Sequence, residues 1–155
     1  MPADALLRAM NAGHRALLVL SRGRVGRVAA GMPVLELTTT GRRTGRRHTV
    51  LLTAPLHDGA GYVVVASRGG DDRPPAWLVN LTADPRVHVR PPGAPGRAMH
   101  ARVAGPAERA ELWPRIVAGH PLYARYQERT SREIAVVVLA PALGHGVADG
   151  PDSSP

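Results

Sequence analysis

Short connections between apolar runs constrain this chain more than any other feature. Strand-like stretches at about 33–40, 46–56, 62–67, 86–91 and 97–104 are joined by GRRTG at 41–45, HDGAG at 57–61 and PPGAPG at 91–96. A parallel pairing needs a crossover of roughly a dozen residues or more, so connections this short force antiparallel neighbours. Asp58-Gly59 is a strong hairpin signal. A sixth run at 134–139 is rich in valine and isoleucine, which favour strands. Helical patterns occupy 3–21, 75–83, 106–118 and 121–128. Pro75 suits a first helical turn, and Pro114 should limit or kink the third helix. The expected fold is α+β: an antiparallel barrel of about six strands with flanking helices.

The 155 residues allow one domain with a real core. Boundaries are expected at 1–31 for an N-terminal amphipathic helix and linker, 32–141 for the barrel, and 142–155 for a flexible tail rich in Gly, Pro, Ser and Asp. With no phenylalanine and five other aromatics, the core must be aliphatic. No cysteine is present, which excludes disulfides, thiolate catalysis and Cys-based zinc sites. The seven histidines show no metal-binding spacing, so no metal site is expected. No apolar run reaches the length of a membrane span, and a cytoplasmic protein is expected. The 3–21 pattern suits either a helix capping the barrel or peripheral contact with the inner face of the cell membrane.

The net charge is +8 and all 20 basic residues are arginine, a composition that a GC-rich genome accounts for. Their clustering needs another reason. Arg42, Arg43, Arg46 and Arg47 crowd one hairpin, where like charges repel unless an anion lies among them. Gly41 and Gly45 let backbone N–H groups approach such an anion. A charge run by itself is more often a solvated turn. No GxxxxGK[ST] or GxGxxG motif appears, so neither a P-loop nor a dinucleotide fold is indicated. Nucleic acid is not an expected partner, because no aromatic residues interleave with the arginines.

Further chemistry gathers in two places. Ala66, Ser67, Arg68, Gly69 and Gly70 leave the end of a buried strand, where loops commonly touch ligands. Trp77 and Asn80 share a helix face, offering an apolar wall and an amide. Tyr123 and Tyr126 form a second i, i+3 pair with His120 beside them, and each tyrosine can donate a proton or simply pack.

TTTGRRTGRRHTVLL, VVVASRGGDDRPPAWLVNLTADPRV and HPLYARYQERTSREIAVVVLAP resemble the deazaflavin-dependent nitroreductase family, small F420H2-dependent reductases related to flavin-binding split barrels. The resemblance spans roughly 32–141 and implies an antiparallel split β-barrel binding coenzyme F420, whose phosphate and polyglutamate tail are anionic. It implies that Arg42, Arg43, Thr44, Gly45 and His48 hold the phosphate and tail. Ala66, Ser67 and Arg68 would flank the deazaflavin, and Trp77 and Asn80 would complete the groove. Tyr123 and Tyr126 would line the substrate side, with Ser67 or Tyr126 polarising or protonating the acceptor. The implied activity is hydride transfer to a quinone, nitroaromatic or similar small-molecule acceptor. Two other readings stay open on the residues: a barrel that binds F420, lipid or another cofactor without turnover, and a reductase using FMN. Oligomeric state is not legible.

Overall fold

The computed structural model describes residues 28–29, 31–58 and 60–142. The helix expected over 3–21, its membrane contact, and nearly all of the 142–155 tail lie outside these residues. No described helix is long and apolar enough to cross a membrane.

Eight strands are described: β1 (Val28–Ala29), β2 (Met32–Thr40), β3 (Arg47–Thr53), β4 (Leu56–His57), β5 (Tyr62–Val65), β6 (Arg86–Arg90), β7 (Arg97–Val103) and β8 (Val136–Pro141). Three α-helices accompany them: α1 (Ala76–Ala83), α2 (Pro106–Gly119) and α3 (Leu122–Glu128). Every strand pairing is antiparallel, as the short connections require. The sheet runs β1-β2-β6-β7-β8-β5-β4, with β3 also paired to β2. β3 and β4 do not pair with each other, so the sheet is curled but not closed by hydrogen bonds.

The strand expected over 46–56 is two strands. Pro55 has no N–H to donate, and the chain turns at Ala54-Pro55 so that Leu56 and His57 pair with Val63 and Tyr62. The last strand begins at Val136 rather than 134, because the Ile134 N–H is taken by Gln127 Oε1 at 2.9 Å. Pro114 lies inside α2 without ending it.

Period-two alternation sends side chains to two cores. Leu35, Leu37, Val64, Val87, Val89, Met99, Ala101, Val137 and Leu139 fill the inside of the curled sheet, sealed by Trp77 and Leu81 from α1. On the opposite face Val65 and Val136 pack with Ile116, Tyr123 and Ile134 under α2 and α3. This aliphatic interior is the one the composition demands. α1 and the α2–α3 pair thus serve different cores, and the tip of the β2–β3 hairpin is left exposed.

Candidate functional site

The hairpin is built from seven residue pairs, Val34↔Thr53 through Thr40↔Arg47. Its tip closes with Gly41 N–H donating to Arg46 O at 2.7 Å and Gly45 N–H to Gly41 O at 2.9 Å. Gly45 has φ +70, a left-handed value that glycine adopts without cost. At Gly41 the demand is space: an added Cβ would lie 2.9 Å from His48 Nε2 and 3.1 Å from Thr44 Oγ1. The imidazole and hydroxyl therefore fold over the turn. With the Gly45 N–H spent, the amides of Arg43 and Thr44 have no acceptor among the described residues.

Arg42, Arg43, Arg46 and Arg47 are all exposed, and none has an acidic partner among the described residues. Elsewhere Arg86, Arg90, Arg102 and Arg109 are paired with Asp84, Glu36, Glu108 and Glu133. Among the described residues the tip thus carries uncompensated positive charge on a seven-pair β-hairpin. Guanidinium forks at such a site suit carboxylates and phosphates.

Asn80 ties this tip to α1. Only 5% exposed, it accepts the Arg42 N–H on Oδ1 at 3.3 Å and donates from Nδ2 to Thr39 Oγ1 at 3.2 Å. Its amide is a strut under the hairpin, with both ends occupied. Trp77, 7% exposed, belongs to the inner core and forms a floor rather than an open wall. Replacing Asn80 by Ala strands the buried Thr39 hydroxyl, and a loss of about 1–3 kcal/mol is expected, read as a lower urea midpoint.

The Ala66–Gly70 loop is fixed from the other side by the segment that follows α3. Arg132 donates to Asp71 O (2.9 Å), Ala66 O (3.2 Å) and Ser67 O (3.0 Å). Arg129 reaches Gly69 O at 3.3 Å and lies over the Tyr126 ring, 5.7 Å from its centroid. Burial lowers the Arg132 guanidinium from its ordinary value, and Asp71 pulls the other way. It stays a cation at any working pH, as arginine does. Gln127 completes the frame, donating to Arg132 O at 2.7 Å and accepting from Ile134 N–H and Arg109 Nη2. Arg109, Gln127, Arg129 and Arg132 carry no motif, and sequence reasoning missed them.

The two tyrosines differ. Tyr123 is 5% exposed, and its hydroxyl shares a 2.9 Å hydrogen bond with Thr53 Oγ1 and approaches Met32 Sδ at 3.5 Å. Tyr126 is half-buried, edge-on to Tyr123 with centroids 6.2 Å apart, and its hydroxyl has no hydrogen bond among the described residues. Of the two hydroxyls, that of Tyr126 is the one not engaged among the described residues. Burial raises the Tyr123 phenol above its usual range, against a smaller opposite pull from Thr53. The folded state therefore holds this proton longer than the unfolded chain does. The stability it supports is complete below about pH 10 and falls as pH rises through the raised value. Tyr123→Phe should cost about 1 kcal/mol at neutral pH and flatten that alkaline loss, measured by urea unfolding from pH 8 to 11.

The expected residues thus form two groups. Arg42, Arg43, Thr44, Gly45, His48 and Asn80 cluster at the hairpin tip; Ala66, Ser67, Arg68, Tyr123 and Tyr126 gather near its base, where Tyr123 meets Thr53. Arg47 and Thr53 are six residues apart on β3, about 20 Å at strand rise. A separate depression of about 290 Å3 lies between the β4–β5 hairpin, β8 and α2, beside Leu112 and Arg115, and none of the expected site residues lines it. No cluster able to hold a metal exists among the described residues.

A family model described as F420H(2)-dependent quinone reductase matches residues 13–141. The chain belongs to that family. An F420H(2)-dependent quinone reductase of Mycobacterium tuberculosis is 39% identical over 130 residues, covering 81% of this chain and 86% of the relative. Among solved structures, an F420-H2 dependent reductase called FDR-A is 36% identical with a TM-score of 0.61, covering 69% of this chain and 93% of that one. A structure described as a domain-swapped dimer is 31% identical with a TM-score of 0.64, covering 90% of this chain and 99% of that one. As a member of the F420H(2)-dependent quinone reductase family, the protein is an F420H2-dependent reductase, and coenzyme F420 is its cofactor. The resemblance in its motifs is upheld.

Proposed function

We propose that this protein reduces a quinone with F420H2, gripping the acidic end of the cofactor at the β2–β3 tip and seating the acceptor beside Tyr126 and Ser67. The observation that carries this is the set of four arginines without acidic partners among the described residues, on a hairpin braced by Asn80. In this reading Arg42 and Arg43 hold phosphate and carboxylate groups, assisted by the Thr44 amide, the turn around Gly45, and His48. Ala66, Ser67 and Arg68 flank the deazaflavin. Trp77 supplies the floor and Asn80 sets the height of the tip. In this reading the curled, unclosed sheet serves as a split barrel, its domain spanning 32–141 between the 1–31 and 142–155 segments.

When bound, reduced F420 supplies the hydride. The chain's residues supply the rest. A quinone that gains a hydride also needs one proton to become a hydroquinone. The Tyr126 hydroxyl and the Ser67 hydroxyl have no hydrogen-bond partner among the described residues and can donate or relay it. Tyr123 holds Tyr126 edge-on and keeps its own proton. A small quinone acceptor is the expected partner, with nitroaromatics as further substrates. Segment exchange between two copies is a proposal that the domain-swapped relative supports.

The test is an equilibrium titration with oxidised F420, followed by turnover of F420H2 with a soluble naphthoquinone. Micromolar binding and hydroquinone formation are expected. Binding without reduction of any acceptor across a panel of quinones and nitroaromatics would establish a carrier instead.

A further inference from the structure

The Ala66–Asp71 loop has an unusual distribution of hydrogen bonds. Five of its six carbonyls accept hydrogen bonds from the described residues. Ala66 O and Ser67 O meet one nitrogen of Arg132, Asp71 O meets another, Gly69 O meets Arg129, and Arg68 O takes the Asp71 N–H at 3.3 Å. The amides are not all spent. Ala66 N–H donates to Ala135 O and Gly70 N–H to Ser67 O, but those of Ser67 and Gly69 donate to nothing among the described residues. The backbone explains how they come to be exposed. Ser67 is right-handed (φ −75, ψ −38), while Arg68 (φ 46), Gly69 (φ 66) and Gly70 (φ 83) follow with positive φ. A right-handed residue followed by a left-handed one turns successive N–H groups toward one concave side, the arrangement that binds electron-rich oxygens. Arg68 is the one non-glycine residue with positive φ among the described residues, a conformation that needs outside support.

We infer that Arg132 is a positioning residue, whose guanidinium holds the Ala66, Ser67 and Asp71 carbonyls and so presents the Ser67 and Gly69 amides as a donor pair for the carbonyl-bearing edge of bound deazaflavin. The inference rests on the assignment of Ala66–Arg68 as the cofactor-flanking segment. In a planar trans peptide the N–H points opposite the preceding C=O, so the Ser67 N–H faces away from Arg132. Arg132 is itself held in place: its N–H donates to Thr130 Oγ1 at 3.3 Å and its carbonyl accepts from Gln127. Two guanidinium nitrogens serve carbonyls on both sides of the turn. A lysine offers one nitrogen and cannot span them.

The experiment compares wild type, Arg132→Lys, Ser67→Pro and Ser67→Ala for F420 affinity, thermal midpoint, and amide hydrogen exchange with and without F420. Ser67→Pro deletes one amide at a φ that proline accepts, and it leaves the Arg132 side chain in place. Arg132→Lys should weaken F420 binding about tenfold or more, equivalent to about 1.4 kcal/mol. F420 should protect the Ser67 and Gly69 amides in wild type and fail to do so in that variant. Ser67→Pro should weaken binding more than Ser67→Ala. Arg132→Lys that binds F420 as wild type does, or Ser67→Pro no worse than Ser67→Ala, overturns the inference. A lowered thermal midpoint with unchanged affinity also overturns it, since Arg132 would then be structural only. Wild-type protein that bound no F420 would remove the cofactor assignment itself, a different result from an indifferent Arg132→Lys.

Discussion

Reversing two charges at the hairpin tip, Arg42→Glu with Arg43→Glu, should weaken F420 binding by roughly a hundredfold or more while leaving the fold intact. Both side chains are exposed, and neither has an acidic partner among the described residues, so no native contact is lost. Two ligand attractions become two repulsions. With each reversal worth about 1–2 kcal/mol at a solvent-exposed tip, the sum is about 3 kcal/mol. The effect should shrink as salt rises, because exposed charges are screened over about 10 Å at 0.1 M. A binding titration at two ionic strengths checks both parts. The thermal midpoint should stay the same or rise, since four mutually repelling cations become a mixed set.

Gly70→Ala should be strongly destabilising. Gly70 has φ +83, and an added Cβ would lie 2.7 Å from Tyr126 O and 2.8 Å from Arg129 Cβ. Backbone atoms of α3 and the base of a side chain have little room to yield. Left-handed strain of about 1–2 kcal/mol adds to overpacking of about 1–3 kcal/mol, giving roughly 2–5 kcal/mol. That corresponds to a fall of roughly 5–15 °C in thermal midpoint at this chain length. Gly69→Ala is the control. It has φ +66 but no heavy atom within 4 Å of the new Cβ, so only the strain of about 1 kcal/mol should appear. Equal losses in the two variants would mean that close approach to α3 does not set the loop. Because the same contact aligns the loop with Tyr126, Gly70→Ala should also depress turnover beyond its effect on stability.

Much of this was legible in the sequence, for reasons that differ by residue. The GRRTG and HDGAG turns announce themselves because turn chemistry is local: Gly45 is left-handed, and Asp58 Oδ1 accepts the Ala60 and Gly61 amides at 3.1 and 2.8 Å. The break at Pro55 was hidden within an apolar run that reads as one strand, although the missing N–H was there to be read. Trp77 and Asn80 do share a helix face, as their spacing requires. Periodicity does not say what that face meets, and it meets the inner core and the hairpin. Arg132 was invisible because its partners, Ala66, Ser67 and Asp71, lie 61 to 66 positions away and are backbone carbonyls, which have no sequence signature. The contrast between Tyr123 and Tyr126 likewise depends on Thr53, 70 positions distant.

The most direct measurement pairs two ligands with two proteins: F420 and a deazaflavin lacking the phosphate and glutamates, each titrated against wild type and the Arg42→Glu, Arg43→Glu variant. If the tip holds the acidic end and nothing else, the variant loses affinity for F420 by about two orders of magnitude and binds the truncated ligand as wild type does, so that the coupling energy equals nearly the whole loss. Equal losses for both ligands, or none for either, would contradict the assignment of the hairpin as the anchor of the cofactor tail.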